Sequence, residues 1–257
     1  MQCLLGQIVA KCSTPKAVLL TSGARVAPFF YSINYLYNKD MKDKKSEIQA
    51  LIKALKKLFP NAGIALNFSN DWELVVAVIL SAQTTDKQVN KVTENLFKKY
   101  KNISDYAESK LINFEKDINS IGLYKSKAKN ITELAKIILN KYNGKIPNTI
   151  GELVELPGIG RKTANVVMGV IHKNPVGITV DTHVRRFVIR FGLSKFKDPK
   201  RIEQDLIKIV PKKDWEFITF GLIEYGRNIC PARKHECKDH PLTKIFPKAD
   251  KIWPKAK

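Results

Sequence analysis

The stretch Leu156-Pro-Gly-Ile-Gly-Arg-Lys-Thr-Ala164 carries the most structural information in this sequence. A predicted helix ends at Gly158, and Gly160 allows a tight turn into a second helix that begins near Arg161. The backbone N–H groups of such a turn and the positive end of the second helix form a site for a phosphate group. Arg161 and Lys162 add positive charge there. A short G-x-G also occurs in ordinary basic helix–loop–helix units, so the whole string carries the prediction.

Lys162 occupies an unusual position for a lysine, because the N-terminal end of a helix disfavours positive charge. Acidic residues are the usual occupants of a first helical turn. An amine whose charged form is disfavoured can attack an electrophilic carbon and form a Schiff base. We therefore predict that Lys162 is a nucleophile, and not one more solvated lysine.

A second informative segment runs from Ile178 to Phe187. Its apolar approach ends at Asp181, where another helix is predicted to start, so Asp181 is expected to cap that helix. Asp181 follows Lys162 by one helix and one loop, which can return the chain to the lysine's end of its helix. A carboxylate beside an amine can stabilise positive charge on a sugar and help to activate the nucleophile. His183 follows on the same element.

The rest of the chain from Met41 onward predicts helices with short connections. Apolar residues recur at three- and four-residue spacing between Ile48 and Phe59, which is typical of a one-sided helical stripe. Further helices are predicted at 72–82, 89–97, 104–119, 126–142, 149–155, 161–172, 181–191, 199–209 and 213–227. Strand candidates are few, and the β-rich segment Val176–Val180 is short and isolated. These patterns predict an all-α protein.

Charge indicates a polyanionic partner. Lys and Arg number 45 against 24 Asp and Glu, which gives a formal net charge of +21. Such an excess attracts nucleic acid, although a generally Lys-rich proteome would also produce it. No apolar run is long enough to cross a membrane. The four cysteines, at 3, 12, 230 and 237, are too few and too dispersed for a secreted disulfide framework.

Four motifs together resemble the endonuclease III family of helix-hairpin-helix base-excision glycosylases. They are Leu80-Ser-Ala-Gln-Thr-Thr-Asp86, Ile121-Gly-Leu-Tyr124, Leu156–Ala164 and Val180-Asp-Thr-His183, and they occur in one order. The similarity extends from about residue 45 to residue 237. The resemblance implies two α-helical lobes with DNA in the cleft between them. The central lobe would span 64–175, and the second would join 41–63 to 176–257.

The resemblance also implies a role for individual residues. Lys162 matches the family's catalytic lysine, which attacks the sugar C1′, and Asp181 matches its carboxylate. Gln83 and Leu123 match side chains that enter the duplex and fill the gap left by an extruded base. Gly158, Gly160, Arg161 and His183 are expected to contact DNA.

The implied activity is a bifunctional DNA glycosylase and AP lyase of base excision repair. It would remove oxidised pyrimidines through a lysine Schiff base, break the strand by β-elimination, and act as a monomer on double-stranded DNA with a damaged base or an abasic site. One alternative is a monofunctional mismatch glycosylase of the same superfamily, which uses an activated water. Another is a non-catalytic DNA-binding protein that uses the hairpin only for phosphate contact.

The sequence departs from the family near its C-terminus. Members commonly hold a [4Fe–4S] cluster with cysteines spaced C-x6-C-x2-C-x5-C, and here Cys230 and Cys237 are followed by His240 and Phe246 at the last two positions. Because Phe cannot bind iron, we expect no cluster and no other cofactor, with the two cysteines as remnants. The alternative is zinc bound by Cys230, His235, Cys237 and His240.

Residues 1–40 differ in composition from the rest, since Asp40 is their first acidic residue. We expect a poorly structured extension, with translation beginning at Met41, although a mitochondrial-type presequence is an alternative. The expected location is the cytoplasm in association with the nucleoid, or the mitochondrion or nucleus in a eukaryotic cell.

Overall fold

The structure, a computed structural model, describes residues 27–233, 235–247 and 249, with residues 27–39 described by their backbone alone. Eleven α-helices and one 3₁₀ turn (Lys212–Asp214) make up the regular structure of these residues. The helices are α1 Ala27–Leu58, α2 Asp71–Ser81, α3 Asp86–Lys99, α4 Ile103–Glu108, α5 Leu111–Asp117, α6 Tyr124–Tyr142, α7 Ile150–Val154, α8 Arg161–Val170, α9 Thr182–Arg190, α10 Pro199–Ile209 and α11 Trp215–Asn228. The predicted all-α fold is confirmed for these ranges.

Local capping explains why most helices begin where the sequence predicts. The Asn70 side chain accepts a hydrogen bond of 2.9 Å from the backbone N–H of Glu73 at the start of α2. At α10, Asp198 caps the helix and Pro199 occupies its first position, where the missing N–H of proline costs no hydrogen bond. These side chains satisfy N–H groups that have no partner within the helix.

The predicted helix 104–119 is wrong, because the chain forms two helices there. The first ends at Glu108, and the backbone turns extended at Ser109 and Lys110 before α5 begins. The Ser109 hydroxyl donates a hydrogen bond of 2.8 Å to the carbonyl of Tyr106, so a side chain satisfies a backbone carbonyl at the end of α4. Apolar spacing continues through the break, which is why periodicity alone does not detect it.

Helix α2 lies at the centre of one large apolar cluster. Its residues from Trp72 to Leu80 are all buried, and the cluster draws members from Leu66 to Met168. Tyr106 packs its ring edge-on against Trp72, with ring centroids 5.4 Å apart. This packing fixes α2, and therefore the loop that follows it, against α6 and α8.

The part of the chain from Lys42 onward forms one compact unit. In that unit α1 buries Leu55, and a Cβ added at Gly221 of α11 would lie 3.3 Å from its side chain. Lys56 donates to Asp214 over 2.6 Å on the same side. The residue boundaries of the two predicted lobes stay a prediction.

Two further segments can be compared with the sequence-based description. Val176–Val180 forms no strand, and no strand occurs elsewhere in the described ranges. The first helix begins at Ala27, upstream of the predicted start near Met41, whereas residues 1–26 of the predicted extension lie outside the described residues. Within the described part of the chain, no helix has the length and apolar character needed to cross a membrane.

Candidate active site

The hairpin between α7 and α8 leaves backbone amides available to an anion. Gly158 adopts a left-handed φ of +77°, and an added Cβ there would lie 3.1 Å from Cβ of Asn130. The residue that requires glycine in this turn is therefore Gly158, and not Gly160 as expected. Gly160 is the N-cap of α8, makes no side-chain cap, and has open space where a Cβ would lie. The amides of the first turn consequently face outward beside an unobstructed surface.

Lys162 is exposed in the first turn of α8 and lines a cleft of about 290 Å³. The same cleft is lined by Asp181, although the two residues lie on different helices. The arrangement predicted for the two residues, at neighbouring helix starts, is therefore present in the structure.

Asp181 caps α9 with one of its two carboxylate oxygens. Its Oδ1 accepts a hydrogen bond of 2.8 Å from the backbone N–H of Val184. Within the described ranges, its second oxygen has no hydrogen-bond donor. The carboxylate therefore has a structural contact on one side and a free acceptor beside the cleft.

Gln83 and Leu123 share an uncommon backbone conformation. Both adopt left-handed φ values, 55° at Gln83 and 58° at Leu123, which disfavour residues other than glycine. Both are exposed, Leu123 by 60% of its surface. The two loops touch, because a Cβ added at Gly122 would lie 3.2 Å from the Gln83 carbonyl oxygen. Gln83 also lines the cleft, whereas Leu123 is not among the residues that line it.

Arg161 and His183 have contacts within the protein. An Nη2 atom of Arg161 lies 3.8 Å from Oε1 of Glu203, and half of the Arg161 side chain remains exposed. His183 packs against Gly226, where an added Cβ would overlap its ring. Burial lowers the pKa of His183, with Asp181 opposing this shift, so the imidazole is held towards its neutral form. His183 is not among the residues that line the cleft, and its contact with DNA stays a prediction.

Sequence reasoning missed the ion pair at the cleft. Asp86, at the start of α3, pairs with Arg227 near the end of α11, and both line the cleft. Arg227 also reaches Glu224 at 3.4 Å. Nothing in the local pattern connects positions so far apart in the chain. Asp86 is the last residue of the Leu80–Asp86 motif, but that motif does not indicate a partner on α11.

The expectation of no metal or cofactor is wrong. The ligand atoms of Cys230, His235, Cys237 and His240 all lie within 4.8 Å of one another, so the loop brings together a set that can hold a metal ion. The two cysteines are therefore members of a potential metal site, and not unconnected remnants. The same four residues form the zinc set predicted from the sequence as the alternative, and His235 lies outside the cysteine spacing of the cluster.

A family description, HhH-GPD superfamily base excision DNA repair protein, matches residues 76–212. A match over more than half of the chain defines the class of protein to which this fold and cleft belong. Endonuclease III of Bacillus subtilis (strain 168) is 46% identical over 200 residues, which cover 77% of this chain and 91% of that protein. Endonuclease III of Synechocystis sp. is 42% identical over 211 residues, covering 82% and 96%. The chain therefore belongs to the endonuclease III family.

Solved structures agree with this assignment. A non-covalent Endonuclease III–DNA complex is similar with a TM-score of 0.76 and 42% identity, covering 80% of this chain and 97% of that one. A trapped Endonuclease III–DNA covalent intermediate is similar with a TM-score of 0.75 and 43% identity over the same shares. A thermostable thymine-DNA glycosylase, at 22% identity and a TM-score of 0.71, shares the fold.

Proposed function

We propose that this chain is a bifunctional DNA glycosylase and AP lyase of base excision repair that removes oxidised pyrimidines. The observation that carries the proposal is the cleft in which Lys162, Asp181 and Gln83 meet. The covalent intermediate trapped on a similar Endonuclease III supports an enzyme that bonds to its DNA substrate. A protein that only bound DNA would need phosphate contacts, but neither an amine and a carboxylate in one cleft nor side chains that enter the duplex.

DNA binding begins with the phosphate backbone. The uncapped first turn of α8 directs amides outward, and the open surface at Gly160 lets a phosphate approach closely. The net charge of +21 adds a long-range attraction for the duplex. These contacts position the strand without reading its sequence.

The damaged nucleotide must leave the base stack before its C1′ atom can react. We assign Gln83 and Leu123 to the space that it vacates, because their loops touch and both side chains are exposed. An exposed leucine in a left-handed conformation is costly in the free protein. Contact with unstacked bases would bury this apolar surface.

Lys162 then attacks C1′ of the deoxyribose with the lone pair of its neutral Nζ. The glycosidic C1′–N bond breaks, and the base leaves with the bonding electrons and takes up one proton. The amine loses a proton, and the ring bond between C1′ and O4′ opens to give an imine, with O4′ protonated as a hydroxyl.

Asp181 supports these steps in two ways. Its carboxylate stabilises the positive charge that develops on the sugar as the base departs, and it can accept the proton released by Lys162. The capping bond to Val184 fixes its orientation before substrate binds.

The imine makes the C2′ proton acidic, so a base removes it. The electrons form a C1′–C2′ double bond, with nitrogen as the temporary acceptor, and β-elimination then breaks the C3′–O bond. The phosphate leaves with that oxygen, so the strand is cut on the 3′ side of the lesion. Water hydrolyses the remaining imine and frees Lys162.

The test is incubation with duplexes that contain thymine glycol, an abasic site or 8-oxoguanine, with and without borohydride. Borohydride reduces the imine and leaves a covalent protein–DNA adduct. Lys162→Gln should abolish trapping and reduce strand cleavage by roughly 10³-fold or more. Asp181→Asn keeps a good helix cap, and should slow base removal by about 10²–10⁴-fold without a matching loss of stability. Lys136→Gln, exposed and outside the cleft, is the matched control.

Each alternative corresponds to one outcome. Base removal without a trapped adduct would indicate a monofunctional glycosylase, and binding without any cleavage would indicate a non-catalytic DNA-binding protein. Trapping by Lys162→Gln at the wild-type level would refute the nucleophile. We further propose that the chain acts as a monomer where the cell keeps its DNA, in the nucleoid of a bacterium or in the nucleus or mitochondrion of a eukaryote.

A further inference from the structure

The loop after α11 contains a second cluster of reactive side chains, away from the cleft. Cys230 and Cys237 are buried, with Sγ atoms 4.0 Å apart, and Nε2 of His235 lies 3.3 Å from Sγ of Cys237. His240 completes the set, whose ligand atoms all lie within 4.8 Å of one another. None of these residues takes part in the proposed excision reaction.

Two of the separations in this set are close to those expected around a single tetrahedral ion. Zinc binds sulfur at about 2.3 Å and histidine nitrogen at about 2.0–2.1 Å, so two sulfurs on one ion lie about 3.8 Å apart, and a sulfur and a nitrogen about 3.6 Å apart. The observed separations of 4.0 Å and 3.3 Å differ from these by about 0.3 Å or less. A tetrahedral set of two sulfur and two nitrogen donors is typical of zinc.

The histidines are oriented as metal ligands. Nδ1 of His235 lies 2.6 Å from the carbonyl oxygen of Arg233. Because a carbonyl can only accept, Nδ1 carries the proton, and the lone pair of Nε2 faces Cys237. Nδ1 of His240 is buried and has no hydrogen-bond partner in the described part of the chain. Buried polar atoms rarely remain unpaired, and a bound ion would give this nitrogen a partner.

Positive side chains of α9 support the sulfur donors. Arg190 donates from Nη1 to Sγ of Cys230 over 2.9 Å, and Arg186 donates from Nη2 to the carbonyl of the same residue over 2.7 Å. Such outer contacts orient metal ligands. They also connect the loop to α9, the helix that Asp181 caps.

We propose that Cys230, His235, Cys237 and His240 bind one Zn²⁺ ion. Four protein ligands leave no open position for water or substrate, so the ion is structural. Two thiolates balance the charge of the ion, which favours its burial in this otherwise basic chain. Its function is to close the loop between Cys230 and His240 against α9, and the loop is expected to lose order when the metal is removed.

The first test is the metal content of the full chain, purified without chelators or a histidine tag from cells supplied with both zinc and iron. We expect about one zinc per chain. Cys237→Ser and His240→Gln should each lower the zinc content well below one. His172→Gln is the control, because His172 bonds to the carbonyl of Pro147 outside the cluster and should leave the zinc content unchanged.

A second measurement does not depend on how well the variants fold. Chelation of the wild-type protein should lower its Tm, and Zn²⁺ alone should restore it with a dependence on zinc concentration. Exchange with Co²⁺ should produce the visible absorption of a tetrahedral thiolate site, altered in His240→Gln. An iron–sulfur spectrum with stoichiometric iron, a Tm that does not respond to zinc, or a full equivalent of zinc in Cys237→Ser would each overturn the proposal.

Discussion

Lys127 gives the sharpest test of how the fold positions the cleft. It lies on α6, is only 5% exposed, and directs its ammonium group at the end of α2. There Nζ donates to the carbonyl oxygens of Leu80, at 2.8 Å, and of Ala82, and to the hydroxyl of Thr84 at 3.3 Å. Helix α2 has no basic residue in its own last turn, so Lys127 supplies that charge from another helix. Its contacts lie on either side of Gln83.

The cost of Lys127→Met follows from these contacts. A hydrogen bond from a charged donor contributes about 1.5–3 kcal/mol, and a cation at a helix C-terminus about 0.3–2 kcal/mol. Burial lowers the pKa of Lys127, so the cost of burying its charge offsets part of this gain. Methionine fills a similar volume but leaves two carbonyls without their donor. We expect the free energy of unfolding to fall by about 3 kcal/mol, which lowers Tm by about 6–12 °C for a chain of this size.

Thermal and urea unfolding measure the loss, and Lys129→Met, an exposed lysine on the same helix, is the control expected to stay within about 0.5 kcal/mol of wild type. Binding to a duplex with an abasic-site analogue should weaken about tenfold in Lys127→Met, which corresponds to about 1.4 kcal/mol. A Lys127→Met variant as stable as the wild type would exclude this role of Lys127. An equal loss of stability in Lys129→Met would exclude it as well.

The hairpin, the exposed leucine and the half-buried histidine provide three further tests. Gly158→Ala should lower the free energy of unfolding by roughly 1–2 kcal/mol because of its left-handed φ. Gly160→Ala should change the free energy of unfolding little but weaken DNA binding. A loss in urea unfolding as large as that of Gly158→Ala would contradict this. Leu123→Asn should keep the wild-type unfolding midpoint, since asparagine tolerates the left-handed region, yet slow base removal; a full excision rate would exclude the duplex-filling role. The pKa of His183 is lowered from 6.5, so the unfolded chain takes up its proton first as the pH falls. Its contribution to stability is therefore complete above about pH 6.5 and decreases below it, and His183→Gln should flatten this part of a urea-midpoint profile.

The sequence predicts most of the helices because their signals are local. Asp198 and Pro199 mark the start of α10 unambiguously, and the predicted span 199–209 coincides with the helix. The break after Glu108 is missed, since extended backbone at Ser109 and Lys110 leaves the apolar spacing intact. Val176–Val180 is apolar because it is largely buried beside α8, and not because it pairs with another strand.

The residues of the candidate site also differ in whether local sequence signals reveal them. Lys162 and Asp181 are recognisable because each lies at a helix start, where local preference and chemical role can be compared. The pair of Asp86 and Arg227 depends on α3 and α11 meeting, and Lys127 depends on the packing of α6 against α2. Neither relation is encoded in a short window. The four residues of the metal set can be read from the sequence as a zinc alternative, but only the fold shows that their ligand atoms lie close together.

The two loops that carry Gln83 and Leu123 both contain a strained backbone conformation. Gln83 and Leu123 hold left-handed conformations that cost about 1–3 kcal/mol each in a residue other than glycine. Glycine would relieve both at no steric cost, so the turns themselves do not require these side chains. Lys127 donates hydrogen bonds to the residues on either side of Gln83, and Gly122, next to Leu123, packs against the carbonyl of Gln83. The loops are thus fixed before DNA arrives, and the ordering cost of placing two side chains in the duplex is met during folding instead of during binding.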